Sequence, residues 1–529
     1  MKHTYQAILF CTALFVFLGC KKVLDKSPLA SQTTTALYND PSQAILGING
    51  IYDAISWSTE WRNTDFPVME WMYGDILSND AEKGSTASDM TNLQTAKNWA
   101  ADASNSVVYV YSVLYEAIYR ANVALSELPS ADWDSDLKTR LMGEAHFLRG
   151  YSYFHLLRLF GGVSVVTAPL AVSEMNIPRS TFSETARQAE ADFSYADSVL
   201  PLKSAYASAD LGRATKGAAE AYLARMYMYE MGTDNSLDHT WQEVYDMTKK
   251  IMQSGEYSLY DNYAALTQEV SENGAESLFE LQYSESSTSW GTASLGSYNN
   301  VYQLSRASWG WGFNNPTTSL RNEFEANDPR LACTMFGNGD TIVGIVQTVN
   351  YPTENATGYL NAKAAIIQPT FNTQAAGQNI RKIRYADVLL MNAEAAAHLG
   401  DNSEAVDLVN QIRTRARKST RPMGTNVNNP TEYATANTPS GTLPDLSTSL
   451  SGDALLKAIW HERRVEMGME AIHFWDMVRT GTYLDSLSTS VKANCEKHCI
   501  TSGVVNPIPV LPIPLTEVQA WGLTQNPGY

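Results

Sequence analysis

The chain has 529 residues, of which 44% are hydrophobic, so it is long enough for roughly three domains and can bury a large core. Its formal net charge is −18 at pH 7, from 38 Lys and Arg against 56 Asp and Glu. Proteins that bind nucleic acids or anionic lipid surfaces use clustered Lys and Arg, so this acidic balance argues against both kinds of partner.

The N-terminus has the features of an export signal. Met1-Lys2-His3 is basic, an apolar stretch runs from Ala7 to Leu18, and Gly19 and Cys20 follow. This pattern is typical of a secretory signal peptide and is too short for a membrane span. Because it ends in Gly-Cys, it resembles a bacterial lipoprotein signal, in which the cysteine becomes the first residue and carries acyl chains. We therefore expect a cleaved signal over 1–19, lipidation at Cys20 and a polar tether over 20–40, the alternatives being an ordinary signal peptide or a buried N-terminal cysteine.

Helical periodicity begins near Ser42 and continues to about residue 253. Apolar side chains at three- and four-residue steps predict a helix over 106–128. The segment from Leu137 to Phe160 is apolar on more than one face, which is typical of a helix buried among other helices. Further amphipathic helices are predicted at 183–199, 213–231 and 241–253.

Three acidic residues, Asp132, Asp134 and Asp136, precede the helix that contains Leu137. They resemble the start of a calcium-binding loop, but Leu137 and Gly143 stand where such a loop requires Gly and Glu. We therefore interpret these acids as caps of the following helix. Neither a metal site nor a cofactor is indicated.

A second helical block is predicted over about 381–481. A helix over 384–398 ends at Gly400-Asp401, and another begins with Asn402 or Ser403 as its cap. Two helices joined by a tight Gly turn, with alanines at their contact, are the unit of a tetratricopeptide-like repeat, here in degenerate form. Between the two blocks, residues 255–380 are rich in Gly, Ser, Thr and Asn, which indicates long loops and short strands.

The cysteines outside the export signal and the lipidation site are Cys333, Cys495 and Cys499. Cys495 and Cys499 flank His498, so the segment could form a local disulfide, hold free thiols or contribute metal ligands. A structural zinc site usually has four ligands, and no second cluster supplies them. An oxidising export compartment favours the local disulfide.

Motifs of common enzymes are missing from the sequence. His461-Glu462 is followed by Arg463-Arg464 rather than by the second histidine of a metalloprotease motif, and there is no Gly-x-Ser-x-Gly elbow or phosphate-binding loop. These absences argue against an enzyme without excluding one.

Aromatic residues in polar, Gly-rich sequence are the strongest candidates for binding. Flat rings on loops can stack on the C–H faces of sugars, while nearby Asn, Asp and Arg side chains hydrogen-bond the hydroxyls. The alternative is that these rings pack loops onto the helices. The predicted ligand-binding residues are Trp71, Asp75, Asn98 and Trp99 in an early stretch, and Trp290, Tyr298, Arg306, Trp309 and Trp311 in a later loop.

Several segments, taken together and in order, resemble the SusD/RagB family of outer-membrane lipoproteins. The quoted segments are 144–154 (EAHFLRGYSYF), 160–163 (FGGV), Phe324-Glu325, Asp328-Pro329-Arg330, 384–395 (RYADVLLMNAEA), 462–466 (ERRVE), 474–481 (FWDMVRTG), 512–517 (PIPLTE) and 525–529 (QNPGY). The resemblance covers the whole mature chain.

This resemblance implies one mostly α-helical domain over 41–529, with four tetratricopeptide-like helix pairs and an irregular, loop-rich ligand-binding face. It also implies a non-catalytic, lipid-anchored receptor at the outside of the outer membrane that captures a nutrient and covers a TonB-dependent transporter (SusC-like). The residues Glu462, Arg463, Arg464, Asp476 and Arg479 are then expected in ion pairs between helices.

Three functional hypotheses follow from these observations. The first is a surface receptor that binds a glycan and delivers it to the transporter. A second is the same scaffold binding peptides. The third, a secreted glycoside hydrolase, is motivated by the same aromatic groove.

Overall fold

The computed structural model describes residues 34–56, 69–174, 176–234, 238–285, 297–308, 310–342, 345–365, 376–422, 433–434 and 438–529. The predicted export signal and Cys20 lie outside these ranges, as do Trp290 and Trp309. Within the described ranges, no helix combines the length and the apolar character needed to cross a membrane.

The first half of the chain is a succession of helices. They are α1 (Thr34–Tyr38), α2 (Pro41–Ile55), α3 (Trp71–Gly74), α4 (Thr91–Lys97), α5 (Val110–Glu127), α6 (Ser135–Phe160), α7 (Phe182–Val199), α8 (Lys216–Thr233) and α9 (Trp241–Gln253). The predicted helices in this half are therefore confirmed.

Side-chain caps fix where several of these helices begin. Asp134 accepts hydrogen bonds from the backbone N–H groups of Asp136 and Leu137 at the start of α6, which confirms the capping interpretation of the three acids. Thr181 precedes α7 and forms a reciprocal capping box with Glu184. Local sequence therefore sets these boundaries without help from tertiary contacts.

The second half contains short helices and a further long helical pair. The helices are α10 (Asn299–Gln303), α11 (Thr318–Glu323), α12 (Arg330–Thr334), α13 (Tyr385–Leu399), α14 (Asn402–Lys418), α15 (Gly452–Met467), α16 (His473–Arg479), α17 (Tyr483–Ser486), α18 (Thr489–Cys495) and α19 (Leu515–Trp521). The cap of α14 is Asp401, one residue before the predicted position, because its carboxylate accepts from the Glu404 N–H.

The long helices pack consecutively. The order of contacts is α2, α5, α6, α7, α8, α9, α13 and α14, so each helix lies against the next, and α15 covers α13. Taken two at a time, these eight helices make four consecutive pairs within the described residues. The largest hydrophobic core runs along this stack, and a second cluster lies between α13, α14 and α15.

Short two-stranded sheets lie over the helical stack. The strands are β1 (Ala81–Gly84), β2 (Ser277–Leu281), β3 (Phe313–Pro316), β4 (Met335–Gly337), β5 (Thr341–Ile342), β6 (Ile345–Val346), β7 (Tyr359–Asn361), β8 (Ile380–Arg384), β9 (Arg421–Pro422), β10 (Tyr433–Ala434), β11 (Cys499–Ile500) and β12 (Ile508–Pro509). The antiparallel pairs are β1 with β3, β2 with β8, β4 with β7, β5 with β6, β9 with β10, and β11 with β12. The fold is thus mostly helical with few short strands, as predicted.

The local disulfide predicted between Cys495 and Cys499 is wrong for this structure. Cys333, Cys495 and Cys499 are all free and buried. The Cys499 thiol donates to the backbone carbonyl of Cys495, and the ring of His498 stacks on Tyr529. Both thiols therefore serve as small apolar groups in the core, a common role for buried cysteine.

Candidate ligand-binding site

Pairing of β1 with β3 joins the two predicted binding regions. Glu82 lies opposite Asn315, and Gly84 lies opposite Phe313. The backbone N–H of Ser85 donates to the Gly312 carbonyl at 2.7 Å. A Cβ atom on Gly84 would lie 2.4 Å from that same carbonyl oxygen, so this close approach requires glycine.

Three aromatic rings connect the joined regions. The ring of Trp71 lies 6.1 Å from that of Tyr302, and Tyr302 meets the half-buried Trp311 edge to face at 4.5 Å. Offset and edge-to-face pairs of this kind are stabilising beyond the area that they bury. Trp311 is therefore held in a fixed orientation by a buried tyrosine.

Arg306 makes a polar bridge between the same two regions. Its guanidinium pairs with Asp89 and donates to the Ser85 hydroxyl at 2.9 Å. About a third of each charged side chain is exposed to solvent. The bridge therefore combines a solvent-accessible cation with a loop anchored next to β1.

Buried amides surround Asp75. Asn314 donates to the Asp75 carboxylate at 2.9 Å and to the Gln303 side-chain oxygen at 2.7 Å, and Asn361 donates to that same oxygen at 2.8 Å. The backbone N–H of Ala471 donates to the other oxygen of Asp75. Burial raises the pKa of Asp75 to about 7, although these hydrogen bonds favour its charged form.

Trp71 and Asp75 also line a cavity of about 130 Å³. It extends between the amide cluster around Gln303 and the helices α6, α8 and α16, so it links the loop-rich face to the helical stack. Inside it, Glu70 pairs with Lys382 at 2.6 Å. Burial would raise the pKa of Glu70, but its cationic neighbours, Lys382 above all, lower it to about 2.

Not every predicted binding residue lies in this site. Trp99 is 2% exposed and donates its indole N–H to the Tyr483 hydroxyl, and Tyr298 is fully buried. Stacking on a ligand needs an accessible ring face, so the prediction that these two rings form binding platforms is corrected to a core role. The same correction applies to Trp71, which is 5% exposed. Asn98 is half-buried, and its side-chain oxygen accepts from Gln94 on α4, apart from the Trp71–Tyr302–Trp311 rings.

The buried amides Gln303, Asn314 and Asn361 were not predicted. The one sequence signal for them is the Asn314-Asn315 pair directly after the aromatic loop. Asn314 also has a positive φ of 55°, a backbone conformation that asparagine tolerates better than most residues. Asp75 lies 239 residues from Asn314, and Asn361 lies 58 residues from Gln303, which is why the pattern alone did not single these amides out.

The charged residues of the family-like segments mainly form buried ion pairs within the helical stack, which is called the frame below. Arg463 pairs with Asp387 and Asp476, and Arg479 pairs with Glu394 at 2.6 Å. The expectation that these charged residues join helices is therefore confirmed. Glu462 bridges Arg330 and Arg413 at 2.6 and 2.9 Å, and Arg464 pairs with Asp80 and Glu323 at 2.8 and 3.0 Å.

Comparison with known families agrees with this arrangement. A model described as the SusD family matches residues 275–529, and a model described as starch-binding associating with outer membrane matches residues 22–228. The chain belongs to the SusD/RagB family.

Individual relatives of this SusD-family protein match over most of their length. SusD-like protein P38 of Formosa agariphila is 27% identical over 501 residues, which cover 90% of this chain and 92% of that protein. A solved structure titled laminarin binding SusD-like protein has a TM-score of 0.71 and 25% identity over 92% of this chain and 99% of its own.

A surface glycan-binding protein A from Bacteroides thetaiotaomicron, in complex with laminarihexaose, has a TM-score of 0.73 at 20% identity and covers 92% of this chain and 99% of its own. At that identity the likeness establishes the fold of this SusD-family chain.

Proposed function

We propose that this protein is a non-catalytic, lipid-anchored receptor at the cell surface that binds an oligo- or polysaccharide and passes it to a TonB-dependent outer-membrane transporter. The main observation behind the proposal is that β1 pairs with β3 and so joins the two aromatic, Asn-rich regions. Its structural neighbours include a laminarin-binding SusD-like protein and a surface glycan-binding protein in complex with laminarihexaose, which supports a glycan as the ligand class.

The chemistry of the site suits a sugar. Trp311 supplies an aromatic face held in place by Tyr302, and Arg306 and Asp89 supply exposed hydrogen-bonding groups nearby. Sugars need both kinds of contact, because their C–H faces are apolar and their hydroxyls must stay hydrogen-bonded when water is removed. Trp290 and Trp309 belong to the same proposed surface by sequence position, while Trp71 and Asp75 support it from within.

The proposals of membrane attachment and of transport are supported by other observations than the proposal of glycan binding. The Gly19-Cys20 signal supports lipidation, and the name of the matching family model supports association with the outer membrane. The transporter partner is proposed from family membership. No nucleic acid is proposed as a partner, because the net charge is strongly negative.

Titration calorimetry of residues 21–529 against soluble polysaccharides, β-glucans included, tests the proposal. We expect saturable heat with one glycan class and no new reducing ends. The Trp309→Ala/Trp311→Ala double variant should lose binding at least about 30-fold, since stacking on each ring contributes about 1–3 kcal/mol by analogy with base stacking. Its circular dichroism spectrum should stay unchanged.

The matched control is Trp241→Ala. Trp241 is also half-buried, but it stacks on His398 between α9 and α13, away from the site, so its loss should leave glycan affinity unchanged. Equal affinity of the wild type and the Trp309/Trp311 variant would refute the assignment of these rings. Binding heat from peptides, with no measurable heat from any glycan, would favour the peptide hypothesis. Release of reducing ends would favour a hydrolase.

A further inference from the structure

Arg158 occupies an unusual position in the inner part of the cavity. It lies on α6, is 3% exposed, and lines the cavity together with Arg225 and Tyr229 of α8 and Trp475 of α16. Its guanidinium lies 4.4 Å from the ring centres of both Phe154 and Trp475. Such cation–π contacts hold a cation in place but do not satisfy its N–H groups.

The nearest carboxylate only partly neutralises this cation. Glu70 lies 3.9 Å from Arg158, whereas the same carboxylate is 2.6 Å from Lys382. Arg158 also donates a hydrogen bond to the ring of His155. His155 is neutral, because burial and the charge of Arg158 lower its pKa well below the usual value. Burial also lowers the pKa of Arg158, and the neighbouring charge of Arg225 adds to this.

In the part of the chain that the structure describes, four buried polar atoms of residues around this part of the cavity have no hydrogen-bond partner. They are Nε of Arg158, Nε of Arg225, Nε1 of Trp475 and the hydroxyl of Tyr229. Three of them can only donate, and the tyrosine hydroxyl can donate or accept. Apart from the Tyr229 hydroxyl, no fully buried side-chain acceptor among the described residues that line the cavity is left unpaired.

This imbalance distinguishes an anion from water. A buried water molecule typically makes about three hydrogen bonds and must place its own two protons on acceptors. An anion accepts from every neighbour and also neutralises excess positive charge, and hydrogen bonds to a charged partner are the strong ones. Buried polar atoms without partners usually indicate an ion or water that belongs to the site.

We infer that the inner cavity binds a small monovalent anion, a halide or a short carboxylate, between the Arg158 and Arg225 guanidinium groups, the Trp475 indole N–H and the Tyr229 hydroxyl. The cavity of about 130 Å³ has room for such an ion with a few waters. This anion is a structural ligand that joins α6, α8 and α16, and the site is independent of the proposed glycan function.

Bromide is the probe for a direct test. Crystals of residues 21–529 grown or soaked in sodium bromide should show an anomalous diffraction peak at this position. In solution, the melting temperature should rise saturably when chloride replaces gluconate at constant ionic strength, because a ligand that binds only the folded state stabilises it.

Two variants separate binding from charge screening. Tyr229→Phe keeps the ring and removes one donor, so chloride affinity should fall about 10-fold. The matched control is Arg120→Met, which removes a part-exposed arginine of α5 that pairs with Asp53 and Glu116, and the chloride response should persist. Ordered water without an anomalous peak, or the same chloride response in Tyr229→Phe as in the wild type, would overturn the inference.

Discussion

The helical frame and the loop-rich face use charge in opposite ways. In the frame, Glu466 is fully buried and pairs with Arg330 at 3.1 Å, with Arg384 at 2.7 Å and with Arg415. On the face, Arg306 has one carboxylate partner, Asp89, and both side chains remain about one-third exposed. The frame therefore keeps its charged groups satisfied internally, while the face keeps some of them accessible.

This difference explains why the family resemblance identifies a fold more securely than a ligand. The resembling segments contribute Arg330, Arg384, Asp387, Glu394, Glu462, Arg463, Glu466, Asp476 and Arg479, all of which form ion pairs between elements. A buried charge is very costly without its partner, so the frame constrains these positions. A stacking ring on a loop is subject to no such constraint.

The largest expected effect comes from breaking the frame at Glu466. Glu466→Gln leaves three buried arginines short of one negative charge, and we expect the free energy of unfolding to fall by about 3–5 kcal/mol. Urea denaturation measures the change. In Glu116→Gln, which removes a half-exposed partner of Arg120, the loss should stay under about 1 kcal/mol; equal losses in both variants would contradict the contrast between buried and exposed pairs.

The next effect concerns Asp75, where the frame meets the face. Its pKa is about 7 in the folded protein against 3.8 for an unperturbed aspartate. Between these values the folded state holds a proton that the unfolded state has released, so this group makes stability fall as pH rises from about 4 to about 7. The difference corresponds to up to about 4 kcal/mol.

Asp75→Asn removes this titration. The free energy of unfolding of the variant, relative to the wild type, should therefore increase between pH 5 and pH 8 in urea denaturation. Other buried carboxyls with raised pKa values, such as Glu230 at about 7, remain in both proteins and cancel in the comparison. A constant difference across this pH range would show that Asp75 does not titrate there.

A smaller effect is expected at the solvent-exposed edge of the frame. Thr181→Ala removes the side-chain oxygen that accepts from the Glu184 N–H at the start of α7. Loss of such a cap lowers the free energy of unfolding by about 1 kcal/mol, whereas Thr181→Ser should retain most of it. Thermal denaturation of both variants tests this, and equal losses would argue against a capping role.

The smallest expected effect is that of a reducing agent. Because Cys333, Cys495 and Cys499 are buried thiols, dithiothreitol should not change the urea midpoint. A thiol-reactive chromophore should label these residues of the 21–529 protein only after unfolding. A mass about 2 Da lower than that of the fully reduced chain would instead show that a disulfide is present, since forming one removes two hydrogens.

Individual elements show how much of the structure could be predicted from the sequence. The helix predicted over 183–199 is Phe182–Val199 in the structure, because its capping box and apolar spacing are both local. For the site, the sequence proposed Trp71, Asp75, Arg306 and Trp311, which lie in the two regions that β1 and β3 join; their contact with a ligand stays a prediction. It also proposed Trp99 and Tyr298, which are core residues, because the type and spacing of an aromatic residue on a loop do not reveal whether its face is covered.

By itself, the amino-acid sequence determined most of the long helices, the capping role of Asp134, the negative net charge and the family. These features depend on neighbours three or four residues apart or on simple sums over the chain. Only the tertiary structure decided that β1 pairs with β3, that Asp75 meets Asn314 and that Arg158 shares a cavity with Trp475. Those partners are separated by more than 200 residues, and no local pattern encodes which distant groups will share one buried space.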